Sequence, residues 1–158
     1  MQADVIAMRL AVAQAHLAAA EDEVPVGAVV LGPDGAVLGE GRNRRETDHD
    51  PLAHAEVVAL RAAAAAAGDW RLDDCTLVVT LEPCTMCAGA VLEARVGRLV
   101  FGAWDDKAGA VGSVLDVLRD RRRGAVVEVV AGVLAEECAA VLAAFFAGRR
   151  GGATPSRG

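Results

Sequence analysis

The sequence predicts an α/β fold: three layers, α/β/α, around a mixed sheet of about five strands that opens with an antiparallel hairpin. Three observations predict it. From residue 54 onward, short apolar runs alternate with helical stretches, the pattern of parallel strands joined by right-handed crossovers. Before that, two strand-like runs flank the turn Gly32-Pro33-Asp34-Gly35. Finally, 158 residues with 54% hydrophobic and 24% charged side chains suit one compact domain with a sizeable core. Residues 1–150 are expected to form that domain, and residues 151–158 a flexible C-terminal tail.

The elements follow in order. Over the first twenty residues, Val5, Met8, Val12 and Ala15 recur at helical spacing, while Asp4, Arg9, Gln14 and His16 interrupt the apolar run. The pattern predicts an amphipathic helix rather than a secretory signal. Residues 24–31 and 36–41 are the hairpin strands. The polar stretch after them is a loop, and Asp50-Pro51 marks the entry to a helix over about 53–67 that Gly68 ends. Residues 75–81, CTLVVTL, read as a strand covered on both faces. A helix from Thr85, a strand at 98–103, a short helix near 113–118, a strand at 125–130 and a last helix over 134–147 complete the chain.

No segment is predicted to cross a membrane. The four cysteines are expected in a reducing cytoplasm, where close pairs are metal ligands or catalytic thiols more often than disulfides. The net charge is −6, but residues 119–158 hold 7 basic and 4 acidic side chains and are the basic region. Any nucleic-acid footprint must come from Arg42, Arg44, Arg45, the Arg119–Arg123 run and the Arg149-Arg150 pair, which are expected to converge around one pocket.

Cys84 and Cys87 stand in TLEPCTMC, where a strand turns into a helix. Three chemistries compete for them. A dithiol redox motif uses the helix N-terminus to stabilise its thiolate. A structural zinc site needs four protein ligands, whereas a catalytic one needs three and leaves a position for water. No second C-x-x-C follows, but His54 and Glu56 in HAE lie upstream, so the chain reads H-x-E, 26 residues, then P-C-x-x-C. That is the signature of zinc nucleobase deaminases. Three apart on one helical turn, the two sulfurs point the same way, and helix starts at one edge of a parallel sheet can bring His54 to them.

Over nearly its whole length the chain resembles the bacterial tRNA-specific adenosine deaminases. The resemblance rests on EVPVGAVV at 23–30, GRNR at 41–44, HDPLAHAE at 49–56, TLEPCTMCAGA at 80–90, FGAWDDKAGAVGS at 101–113, and LAEECAA with the later FF, at 134–146. It implies a cytidine deaminase-like fold and hydrolytic deamination of adenosine to inosine at wobble position 34 of an arginine tRNA with an ACG anticodon. By the same resemblance His54, Cys84 and Cys87 hold one zinc per subunit and Glu56 shuttles protons. Asn43 and the Ala55 backbone contact the base, Asp105 the ribose, and Phe145, Phe146, Arg149 and Arg150 touch RNA. The family's members are homodimers that bind the tRNA anticodon stem-loop. Deamination of a free base or nucleoside, such as guanine or cytosine, is the alternative within this chemistry.

Overall fold

The structure, a computed structural model, describes residues 1–124 and 126–150. Helix α1 runs Gln2–Ala20, and strands β1 (Gly27–Leu31) and β2 (Val37–Arg42) form the hairpin. Helix α2 (Ala55–Ala67), strand β3 (Thr76–Leu81), helix α3 (Thr85–Glu93) and strand β4 (Arg98–Ala103) follow. A single 3₁₀ turn (Arg121–Arg123), strand β5 (Glu128–Ala131) and helix α4 (Ala135–Arg150) complete it. The tail predicted at 151–158 lies outside the described residues.

The strand order is β2-β1-β3-β4-β5. β3, β4 and β5 are parallel, while β1 runs antiparallel to both β2 and β3. Alternation along the strands sorts the core into two sides. Val30, Leu77, Val79, Leu99 and Phe101 pack with α2 and α3, whereas Val29, Val78 and Val100 pack with α1 and α4. This is the expected three-layer arrangement.

Glycine allows helices and hairpin to approach closely. A Cβ at Gly39 would lie 2.5 Å from the Ala59 carbonyl oxygen, and one at Gly41 would strike the Ala55 carbonyl and come within 2.5 Å of the Ala59 nitrogen. Backbone therefore meets backbone along α2, and the helix start is fixed against β2. Gly27 faces α1 in the same way.

Three expectations change. The first strand begins at Gly27 rather than 24, because Pro25 has no N–H to give the ladder and Val26 N–H turns back to the Val24 carbonyl. The short helix at 113–118 is absent. A tight loop with a bridge between Val111 and Asp116 occupies that stretch, its N–H groups drawn to the distant Glu82 carboxylate. The last strand starts at Glu128, not 125. α1 also reaches spanning length and apolarity. However, Met8, Ala11, Val12, Ala15 and Ala18 are buried in the protein, the place of a core helix.

Candidate active site

Both helix starts that face the carboxyl end of β3 place functional groups. Asp50 shapes the first, its carboxylate accepting from the Leu52 N–H at 2.9 Å. His54 is the N-cap of α2 with extended backbone, φ −71° and ψ 152°. Pro83 ends the run from β3, and Cys84 is the N-cap of α3, also extended. Cys87 lies one turn in and is fully buried.

His54 Nδ1 stands 3.6 Å from Cys84 Sγ and 3.5 Å from Cys87 Sγ, and the ligand atoms of the three all lie within 4.8 Å of one another. With ordinary Zn–S and Zn–N bond lengths, the N···S edge of a tetrahedral site is about 3.6 Å. The donor set therefore fits zinc with a fourth position left over. Cys75 and Cys138 are buried in the two sides of the core and do not join the cluster.

The three donors are close enough to share protons with one another. A hydrogen bond from Cys87 lowers the Cys84 thiol to about 4, with His54 adding to the effect. The same hydrogen bond, with burial, pushes Cys87 up. The bond to Cys84 raises His54. Glu56, 4% exposed, is raised above the ordinary glutamate value chiefly by desolvation. A carboxyl poised higher than usual beside a metal triad can both take and return a proton.

His54, Cys84 and Glu56 line a cavity of about 170 Å³. Ala55, Asn43 and Asp105 also contribute to it. Asn43 is held in place: its Nδ2 donates to the Val24 carbonyl at 3.2 Å and its Oδ1 accepts from the Arg45 N–H at 3.2 Å. Phe145, Phe146, Arg149 and Arg150 lie elsewhere, on the last turns of α4. There Arg149 sits over the Phe145 ring at 4.4 Å and donates to the Asp22 carboxylate at 2.7 Å.

The arginines do not gather around this cavity. Arg42 pairs with Glu21, Arg44 with Glu21 and Asp48, Arg119 with Asp116, Arg122 with Asp120 and Arg123 with Glu93. Arg45 alone of the group lines the cavity. Sequence reasoning missed Glu82, which also lines it; the available signal was a carboxylate placed between a buried strand and the cysteine motif.

Residues 1–103 match the family described as the cytidine and deoxycytidylate deaminase zinc-binding region. The tRNA-specific adenosine deaminase of Bacillus subtilis is 45% identical over 92% of this chain and 90% of its own length. A tRNA(Ile)-lysidine synthase of Deinococcus deserti is 55% identical over 86% of this chain, but the chain spans only 25% of that protein. A solved structure from studies of A-to-I editing by tRNA:A34 deaminases at the wobble position superposes with a TM-score of 0.83. It is 42% identical and covers 86% of this chain and 98% of the other. With a three-donor zinc site and a buried glutamate in one cavity, the chain belongs to the zinc-binding deaminases, in the family of the tRNA-specific adenosine deaminases.

Proposed function

We propose that this enzyme hydrolyses the wobble adenosine, position 34, of an arginine tRNA with an ACG anticodon to inosine, working in the cytoplasm as a homodimer on the anticodon stem-loop. The carrying observation is one cavity lined by His54, Cys84, Glu56, Asn43 and Asp105, with Cys87 clustered with His54 and Cys84. His54, Cys84 and Cys87 hold one zinc, which when bound supplies a Lewis acid that lowers the pKa of water. Two thiolates and a neutral imidazole offset the cation's charge, so proton transfer needs help from the chain. Glu56 accepts the proton of the attacking water and delivers it to the ring nitrogen of adenine. It then carries the second proton to the departing amine, so water is consumed and ammonia leaves.

Asn43 and the Ala55 backbone hold the base, and Asp105 the ribose. An anticodon loop is already single stranded, which lowers the cost of extruding its base. Phe145, Phe146, Arg149 and Arg150 contact the RNA beyond the cavity. For the dimer, the support is the exposed apolar pair Val114 and Leu115 beside a groove lined by Thr85, Gly89 and Leu92.

One observation favours a smaller substrate, a free base or nucleoside: most of the named arginines are already paired with acidic side chains. Incubation with an anticodon stem-loop carrying wobble A, beside free adenosine, cytidine and guanine, decides between them. Inosine is expected in the stem-loop alone, and turnover of a free base without it overturns the reading. Cys87→Ser is expected to lose the zinc, measured by metal analysis of protein purified without chelator.

A further inference from the structure

We propose that Glu82 is a positioning residue: its carboxylate fixes the loop 105–113 against the start of α3 and thereby sets where Asp105 stands in the cavity. Glu82 follows the last residue of β3 and precedes Cys84 by two positions, so one short stretch carries both a zinc ligand and this clamp. The residue is 1% exposed. Oε1 accepts from the Asp105 N–H at 3.1 Å. Oε2 accepts from the Val111 N–H at 2.9 Å and the Ser113 N–H at 3.2 Å, and the Ser113 hydroxyl lies 2.9 Å away. Both ends of the loop thus converge on one carboxylate, and no salt bridge to an Arg, Lys or His is formed by it among the described residues.

The surroundings fit the group. A Cβ at Gly109 would run into the Glu82 carboxylate, so glycine at 109 leaves the space that the acid fills. The loop is also laid on the zinc site: Gly109 bridges to Cys84, and the Ala110 N–H donates to the Pro83 carbonyl at 2.8 Å. Three N–H groups and the Ser113 hydroxyl converge on the two carboxylate oxygens, so the loop is built around an acceptor at this position. Asp105 is oriented in turn, its Oδ1 accepting from the Lys107 and Ala108 N–H groups at 3.0 and 3.2 Å. Glu82 need not touch RNA for this; it acts through the loop.

The proposal rests on reading the cavity as the tRNA site, and the test separates the two. The zinc-loaded full chain is compared with Glu82→Gln, which keeps the size but exchanges an acceptor for a donor. Amide exchange at Val111 and Ser113 is expected to quicken about 10- to 100-fold, the loss of hydrogen bonds to a charged acceptor. kcat/KM on the wobble-A stem-loop is expected to fall by a similar factor with zinc content unchanged. In an Asp105→Ala background, Glu82→Gln is expected to add little, because the two act as a unit. Additive losses, or faster exchange with unchanged turnover, overturn the proposal. Should Glu82→Gln lose its zinc, Ser113→Ala, which gives up one donor and keeps the charge, is expected to show the same pattern at about 3- to 10-fold, and no change in it overturns the clamp. If wild-type protein does not turn over the stem-loop, the tRNA reading fails, and the exchange rates alone judge the clamp.

Discussion

At the scale of single residues, the site is built from caps and buried carboxylates. Glu56 is enclosed beside the three metal donors, so Glu56→Gln preserves its shape and its burial while removing the proton acceptor. Zinc content is expected to stay at one per chain, and turnover of the stem-loop to fall about 10²- to 10⁴-fold; retained turnover removes Glu56 from the proposed mechanism. His54, Glu56 and the two cysteines were legible in the sequence because their spacing is local to two helix starts. Glu82 was not, since its four donors come from residues 23 to 31 positions later and only the folded loop gathers them.

At the scale of elements, the contacts that hold helices to the sheet decide stability and also the placement of the ligands. Asp4 on α1 receives both arms of the Arg98 guanidinium from β4, at 2.6 and 2.8 Å. The hydrogen bond from Arg98 keeps the Asp4 carboxyl below its usual 3.8. Its stabilising contribution is thus present above that value and is lost as pH falls through the lower folded one. Asp4→Asn is expected to cost about 1.5–3 kcal/mol in urea unfolding at pH 7, with the gap to wild type narrowing below about pH 4. Gly41→Ala forces α2 away from β2, so it is expected to destabilise the protein by about 1–3 kcal/mol and to weaken zinc binding, since His54 caps the displaced helix. Unchanged zinc affinity would show that the helix start is anchored elsewhere. The apolar run of β3 and the alanine-rich stretch ended by Gly68 made these elements readable, although α2 starts at Ala55 rather than at 53. The loop at 111–116 was misread because a buried carboxylate outweighs the helical preference of VLDVL. The antiparallel pairing of β1 with β3 depends on partners some fifty residues apart, which no local pattern encodes.

At the scale of the molecule, the charge is a mosaic rather than a basic face. A net −6 leaves few cations for a phosphate backbone, and Arg45 is the one of the named arginines that lines the cavity. Arg45→Ala is expected to weaken stem-loop binding and to reduce the dependence of log K on log salt by about 0.7; an unaltered slope removes it from the footprint. Sequence shows how many arginines there are, but their partners, such as Glu93 for Arg123, come from the fold. The match to the broad deaminase family ends at Ala103, the last residue of β4 and the threshold of the loop that carries Trp104 and Asp105. The metal-donor cluster and Glu56 lie before that point, while the loop and α4 lie after it. A chimera joined at this seam to the downstream half of another deaminase is expected to keep the metal donors and the proposed base contacts Asn43 and Ala55 while exchanging Asp105 and α4. The Glu82 carboxylate reaches across that seam, so inheritance of a glutamate at this position, with matching donors on the grafted loop, decides whether such a graft is seated or merely attached.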